Sequence, residues 1–117
     1  MYISSIAALT VPVSDQDRAL EFYSDVLGFE VRSDNPFPHG RWLTVAPKGC
    51  ETTLLLASWF PGKQPLGGTV LYTSDIDGLA ARLRDNGVDL EGPTDEPWGR
   101  QLLFHDPFGN GYAVTQP

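Results

Sequence analysis

The sequence predicts an α+β fold made of two βαβββ modules in tandem. Three short blocks recur in the same order, 59 or 60 residues apart. Each repeat also opens with an apolar strand-like segment and a helical stripe, and closes with short β-rich segments between Gly and Pro turns. The recurring pairs are residues 13–17 and 73–77, 27–31 and 86–90, and 39–43 and 98–102. Such a duplication indicates two similar halves whose equivalent positions can converge on one site.

The first module is predicted from its periodicity. Residues 5–13 are apolar and β-branched, which predicts a strand. Ser14 is expected to cap the following helix, with its hydroxyl accepting from the Asp17 amide. The helical stripe consists of Ala19, Leu20, Tyr23, Val26 and Leu27. Gly28 is expected to end the helix, and strands are predicted at 29–32, 41–46 and 52–58.

The second module repeats this order. A strand is predicted at 69–73, a helix capped by Ser74 and ended by Gly87, and further strands at 88–91, 100–105 and 111–115. The 117 residues are expected to form one domain, with module 1 at about 1–60, a linker at 61–68 and module 2 at about 69–117. Each half is marginal in size alone, so the halves should share a core or complete each other in a dimer.

Charge and cysteine usage restrict the classes of partner. The net charge of −7 disfavours nucleic acid and anionic membranes, which require surplus Lys and Arg, and it favours a cationic small molecule. The single cysteine, Cys50, allows no internal disulfide and is expected to be inert.

No apolar run approaches the ~20 residues that span a bilayer. A cytoplasmic location is therefore expected.

Alternation along the strands predicts two different sheet faces. One face should pack under the helices: Leu9, Val11, Leu43, Val45, Val70, Tyr72, Leu102, Phe104, Tyr112 and Val114. The other is smaller and more polar: Ala8, Thr10, Trp42, Thr44, Leu54, Leu56, Thr69, Leu71, Gln101, Leu103, Ala113 and Thr115. The second face carries no Lys or Glu, which indicates a partly dry pocket. The alternative is that it packs against another subunit or the other half.

The motifs at both ends resemble the vicinal oxygen chelate superfamily. The segments that carry the likeness are 13–19, 21–23, 27–29 and the closing Asp106-Pro107-Phe108-Gly109-Asn110. The superfamily includes glyoxalase I, extradiol dioxygenases, fosfomycin-resistance enzymes and bleomycin-resistance proteins, and residues 96–100 look most like the bleomycin-resistance branch. The resemblance implies a half-open mixed β-sheet barrel with a cleft, helices on the outer face, and commonly a homodimer.

The resemblance also implies where a metal would bind. The metal-binding members place His or Glu at four positions, which fall here on Ala8, Leu54, Thr69 and Ala113. None of these offers the imidazole or carboxylate that a divalent cation requires, and their neighbours do not either. No metal and no other cofactor is expected. A relocated site that combines His39 and His105 with Asp106 or Glu96 is the alternative.

The leading functional hypothesis is metal-independent binding or sequestration of a small, planar or cationic organic molecule, as in bleomycin-resistance-like proteins. The predicted ligand-binding residues are Thr10, Trp42, Thr44, Leu54, Leu56, Thr69, Leu71, Trp98, Gln101 and Leu103. Further aromatic residues, Phe37, Trp59 and Phe60, are expected near the mouth of the cleft.

Two other hypotheses remain open. One is a glyoxalase-like lyase, isomerase or dioxygenase that uses a relocated metal or none. In that case His39 would be the best candidate for a general base, with Gln101 or His105 as other proton-transfer groups. The other is a dimeric interaction module whose cleft is vestigial and filled by its own side chains.

Overall fold

A computed structural model describes residues 2–117. The chain divides into two compact units, one ending at Gln64 and the other spanning Pro65–Pro117. No helix in this described part of the chain is long and apolar enough to cross a membrane.

The first unit is a βαβββ module. Its elements are β1 (Ala8–Pro12), α1 (Gln16–Glu21) with a π-helical continuation over Phe22–Val26, β2 (Glu30–Phe37), β3 (Gly40–Ala46) and β4 (Thr53–Ala57). The strands form one mixed sheet in the order β1-β4-β3-β2. β1 is parallel to β4, and the other pairs are antiparallel. β1 therefore lies at an open edge of the sheet.

The second unit repeats the same arrangement. It contains β5 (Thr69–Tyr72), α2 (Ile76–Asp85), β6 (Leu90–Glu96), β7 (Gly99–His105) and β8 (Gly111–Gln116). The sheet order is β5-β8-β7-β6, with β5 parallel to β8 and the other pairs antiparallel. The predicted α+β fold of tandem βαβββ modules is confirmed. β5, like β1, is an edge strand.

Both helices begin one residue later than predicted. Asp15, and not Ser14, caps α1, because its carboxylate accepts from the Arg18 amide at 3.1 Å. Asp75 caps α2 in the same way, accepting from the Gly78 amide at 3.0 Å. Carboxylate and hydroxyl both make good caps. Each module has a serine followed by an aspartate at this point, and in both modules the aspartate is the N-cap residue.

Two strands extend five residues beyond their predicted ends at 32 and 91. β2 continues to Phe37 and β6 to Glu96, through segments that were expected to be loops. Pro36 is tolerated because β2 is an edge strand, where a missing backbone donor has no partner to lose. The β2–β3 connection shrinks to Pro38 and His39. Phe37 is consequently held on the sheet and not in a loop.

Strand pairing corrects part of the predicted face assignment. In antiparallel and parallel ladders, residues directly opposite each other point to the same face. Leu54 lies opposite Val45, and Thr69 lies opposite Tyr112. Four residues predicted for the cleft face therefore share the face of the buried core: Leu54, Leu56, Thr69 and Leu71.

The same pairing moves other residues to the face opposite the helix-packed core. Leu55 lies opposite Thr44, and Val70 lies opposite Ala113. Val70 and Tyr72 were predicted to pack under the helices, but their side chains are 60% and 78% exposed. Alternation fixes which residues share a face within one strand, but it does not fix the register between strands. A register that is wrong by one residue assigns every side chain of a strand to the opposite face.

The core of each unit lies on the corrected face. In the first unit the fully buried side chains Val11, Leu43, Val45 and Leu56 accompany Ala19 and Tyr23 of the helical segment. In the second unit Leu102, Phe104, Tyr112 and Val114 accompany Ile76, Ala80 and Leu83 of α2. Each sheet thus packs one face against its helix. The opposite face carries Trp42, Gln101 and Leu103, although Thr44, Leu55 and Thr115 on that face are also buried.

Candidate functional site

Four aromatic side chains of the first unit pack together: Phe37, Trp42, Trp59 and Phe60, here called the aromatic cluster. Trp42 and Trp59 are stacked, with ring centroids 6.1 Å apart and planes 27° apart. Phe37 meets both indoles edge-on, at 4.7 Å from Trp59 and 6.0 Å from Trp42. Phe60 lies against Trp59 at 5.9 Å. These distances are those of favourable aromatic pairs.

The aromatic cluster is partly open to solvent. Trp42 is 45% exposed and Phe60 is 43% exposed, while Trp59 and Phe37 are half-buried. A contiguous exposed apolar surface is a common mark of a binding site. The inner rings support the outer ones, so a flat ring could stack on a surface that is already ordered.

The stacked indoles leave no room for a ring between them. A ring inserted between two others needs a spacing of about 7–8 Å, twice the optimal contact distance of carbon atoms. The observed separation of the centroids is 6.1 Å. A flat molecule can therefore reach the outer aromatic surface without separating Trp42 from Trp59, whereas insertion would have to open the pair.

His39 lies beside the aromatic cluster but is not held as a catalytic base would be. Its ring meets Phe37 edge-on at 5.7 Å, and its side chain is exposed. Within residues 2–117 no hydrogen bond or ion pair orients the imidazole. A general base normally depends on a partner that fixes its tautomer and direction.

In the second unit two predicted site residues are joined directly. The indole Nε1 of Trp98 donates to the side-chain oxygen of Gln101 at 2.9 Å. Trp98 is 59% exposed. This bond uses the side-chain oxygen of Gln101 and orients the amide. The amide nitrogen takes no part in the bond. The pair offers an exposed aromatic ring next to an amide donor.

A small cavity lies on the same unit, and the sequence did not predict it. Its volume is about 270 Å³, and its walls include Leu66, Gly67, Leu103, His105, Gly111 and Ala113. The imidazole of His105 lies against Gly111, where an added Cβ would be 3.2 Å from Nε2. The sequence feature that could have indicated the cavity is the set of glycines that line it, Gly67, Gly68, Gly109 and Gly111, because they place no side chains in it.

Buried polar groups hold the rim of this cavity. One carboxylate oxygen of Asp106 accepts from the Phe108 and Asn110 amides at 2.8 and 2.9 Å, and the other from the Asn110 side chain at 2.8 Å. The Asn110 side-chain oxygen accepts from the Leu66 amide at 2.7 Å. Asp106 is thus engaged in the β7–β8 turn, and its role there is structural.

One arginine of the first unit pairs with two carboxylates outside the candidate site. Arg41 binds both carboxylate oxygens of Asp34, at 3.0 and 2.8 Å, and also contacts Asp17. The hydrogen bonds from Arg41 hold the pKa of Asp34 below its ordinary value. Asp17, near the start of α1, is therefore an ion-pair partner of Arg41.

The remaining predicted residues have mixed surroundings. Thr44 is buried, and its hydroxyl oxygen lies 2.6 Å from that of Ser33, so it is already hydrogen-bonded. Thr10 is half-buried and Leu103 is exposed. Leu54 and Leu56 are buried on the core face.

The family's metal does not fit these residues. The positions predicted from the resemblance, Ala8, Leu54, Thr69 and Ala113, carry no imidazole or carboxylate. With the register seen in the structure, Leu55 and Val70 lie on the face that had been assigned to Leu54 and Thr69. The side chains of Leu55 and Val70 have no donor atoms for a metal. In residues 2–117 no three His, Cys, Asp or Glu side chains form a group that could hold an ion. A divalent cation requires such donors.

The duplicated modules, their sheet order and the closing Asp106–Asn110 turn define a member of a known class. The sequence profile of the Glyoxalase/Bleomycin resistance protein/Dioxygenase superfamily matches residues 5–114. The chain belongs to this superfamily.

Similar proteins support the assignment over the full length. The chain is 49% identical to TnmS3, an antibiotic binding protein from Streptomyces sp. CB03234, with a TM-score of 0.93 over 100% of this chain and 98% of that one. A superfamily member from Sphaerobacter thermophilus DSM 20745 is 38% identical, with a TM-score of 0.90 over 100% of both chains. The uncharacterized protein YetH of Bacillus subtilis (strain 168) is 32% identical over 97% of this chain and 99% of its own length.

Proposed function

We propose that this protein binds and sequesters a small organic molecule that contains a planar ring system, and that it does so without a metal. The observation that carries the proposal is the stacked, partly exposed pair Trp42 and Trp59. The similarity to an antibiotic binding protein at 49% identity supports a small-molecule ligand.

The aromatic cluster supplies the main contact. A planar ring that stacks on Trp42 gains about 0.5–1.5 kcal/mol for each aromatic contact beyond the area that it buries. A positive charge on the ligand would add cation–π attraction. The net charge of −7 would also raise the local concentration of a cation. A planar cation is therefore the preferred ligand.

The second unit is proposed to offer a separate surface for a small organic molecule. Its cavity of about 270 Å³ exceeds the ~150 Å³ that holds a benzene ring, but it is smaller than a typical pocket for a whole drug. It suits one ring-sized group. On the same unit, the Trp98–Gln101 pair offers an aromatic face and an amide donor for a ligand oxygen.

Metal independence is part of the proposal. The superfamily positions carry only apolar or hydroxyl side chains, so affinity must come from stacking, burial and hydrogen bonds. We infer that the protein withholds its ligand from other targets and performs no chemistry on it.

A homodimer is also proposed. The edge strand β5 exposes Val70 and Tyr72, and large apolar side chains on an open edge usually find a partner strand. A second copy of the chain is the proposed partner. The dimer is tested by its own experiment, which is independent of ligand binding.

Calorimetric titration with proflavine, a planar cation, tests the ligand class. We expect saturable binding by the wild type and an affinity about tenfold lower for Trp42→Ala. The matched control is Tyr2→Ala, which removes an exposed aromatic residue outside the aromatic cluster. Equal affinity of Trp42→Ala and the wild type would overturn the assignment of the aromatic cluster as the binding surface.

A further inference from the structure

We propose that Gln16 is a positioning residue of the aromatic cluster. Its side-chain amide fixes the backbone that carries Trp42 and Trp59, so that a flat ligand meets an aromatic surface that is assembled before binding. The inference rests on the proposed function for its consequence in ligand binding, but its structural part can be tested on the free protein.

Gln16 joins three elements of the first unit. It is the first residue of α1 and is half-buried. Its Nε2 donates to the carbonyl oxygens of Arg41 at 2.7 Å and of Leu56 at 2.8 Å. Its Oε1 accepts from the Arg41 amide at 3.3 Å. One side chain thereby connects α1 to the start of β3 and to the end of β4.

Both anchoring points adjoin the stacked indoles. Arg41 immediately precedes Trp42, and Leu56 lies three residues before Trp59. Because the amide holds both backbone segments at once, it fixes the distance between β3, which carries Trp42, and the end of β4, which leads to Trp59. The two indoles contact each other by stacking, which the amide bridge supplements with hydrogen bonds to their backbone segments.

Gly40 completes the arrangement. Its φ of +145° is rarely adopted by other residues. A Cβ at this position would lie 3.2 Å from Gln16 Oε1 and 3.5 Å from Trp59 Cε3. The amide and the indole therefore both pack directly against the same glycine backbone. Gln16 therefore lies close to the ring of Trp59 as well as to the backbone that carries the aromatic cluster.

The second module shows that the fold does not require this amide. The position equivalent to Gln16 is Ile76, which is fully buried, and the position equivalent to Trp42 is Gln101. Gly99 and Arg100 retain the glycine and the arginine. In this half Gln116 instead reaches across, and its side-chain oxygen accepts from the Ile76 amide at 2.8 Å. The three-bond amide bridge accompanies the stacked indoles in one module and is absent, with them, from the other.

The expected benefit is preorganisation. Ordering rotamer-rich side chains at the moment of binding reduces affinity, and a protein that orders them beforehand avoids that loss. Removing the amide would also leave two carbonyls without their partner, which favours local rearrangement of the strands. The indole pair would then separate or tilt in the free protein.

The test uses Gln16→Met, which keeps the length of the side chain but cannot form the three bonds. Two stacked indoles couple their electronic transitions, and this coupling gives a paired circular dichroism signal that depends on their distance and angle. We expect the variant to lose most of this signal and to bind proflavine about five- to tenfold more weakly. The matched control is Ile76→Val at the equivalent position of the second unit, which should alter stability while leaving both readouts within about twofold.

Each outcome decides the inference. If Gln16→Met retains the paired indole signal, the positioning role is overturned. If the signal is lost while the affinity is unchanged, the residue is structural only, and the proposal fails. If the wild type does not bind proflavine at all, the dichroism still tests the position of the indoles, and only the proposed ligand class is contradicted. Gln16→Glu, which keeps one acceptor and loses both donors, serves as the second variant if the methionine variant does not fold.

Discussion

Arg41 and Arg100 hold the same arrangement in the two halves of the chain. Arg41 on β3 binds Asp17 near the start of α1 and Asp34 on β2. Arg100 on β7 binds Asp77 near the start of α2, at 3.2 Å, and Asp95 on β6, at 3.1 Å. The duplication visible in the sequence is thus preserved at the level of individual contacts.

Asp34→Asn should remove a stabilisation that depends on pH. The pKa of Asp34 in the folded protein is lowered by Arg41, so its contribution is present above the ordinary carboxylate pKa of about 3.9 and is lost as the pH falls through and below it. Because the pair is partly exposed, we expect a loss of about 1 kcal/mol or less near neutral pH. Urea unfolding of both proteins at neutral pH and at about pH 3 measures the difference.

At the acidic end, the curves of Asp34→Asn and the wild type should converge. Glu51→Gln is the matched control, because Glu51 is exposed and lies outside the Arg41 arrangement. A difference between Asp34→Asn and the wild type that grows on acidification would contradict the assigned role of the ion pair.

The fold could be predicted from the sequence because its signals are redundant. The repeat, the helical stripes and the glycines that end both helices each indicate the same two modules. Gly28 and Gly87 have φ of +75° and +74°, as a helix-ending glycine requires. The cap residues and strand ends were less certain, since Ser14 and Asp15 are both good caps and prolines are tolerated on an edge strand.

Asn110→Ala should destabilise the second unit strongly. Asn110 is fully buried, accepts from the Leu66 amide, and donates to Asp106. Removal of its side chain leaves a buried amide and a carboxylate oxygen with fewer partners, which costs about 1–3 kcal/mol. Chemical denaturation measures the change in the free energy of unfolding. Asn35→Ala, on the exposed part of β2, should change it by less than about 0.5 kcal/mol.

An equal effect of the two asparagine substitutions would mean that the Asp106–Asn110 network does not stabilise the turn. Leu66, whose amide donates to Asn110, also forms part of the cavity wall, so Asn110→Ala should disturb that wall as well.

The candidate site was only partly predictable. The sequence predicted Phe37, Trp42, Trp59 and Phe60 near the mouth of a cleft, and the structure shows that these four rings pack together. The predicted floor was wrong for Leu54, Leu56, Thr69 and Leu71, because the sequence does not contain the register between strands. The bridge made by Gln16 was also missed, since its partners lie 25 and 40 residues away in the sequence.

Removal of metal ions should leave ligand binding unchanged. The positions that hold a metal in other superfamily members have no suitable donors here, so proflavine affinity is expected to be the same before and after treatment with EDTA. Elemental analysis of the purified protein should accompany the titration. A stoichiometric transition metal, or an affinity that falls with the chelator and returns on adding back one ion, would refute metal independence.

Tyr72→Arg should weaken the proposed dimer. Tyr72 is 78% exposed on the open edge strand β5, and burying an unpaired guanidinium between two copies is unfavourable. Sedimentation of the wild type should give about twice the chain mass of 12.8 kDa, and the variant should shift towards the monomer. Gln64→Arg makes the same charge change of one unit on an exposed residue outside the strands and should leave the mass unchanged. A wild type that is monomeric at micromolar concentration would exclude the dimer, whereas a variant that stays dimeric would place the interface elsewhere than at Tyr72.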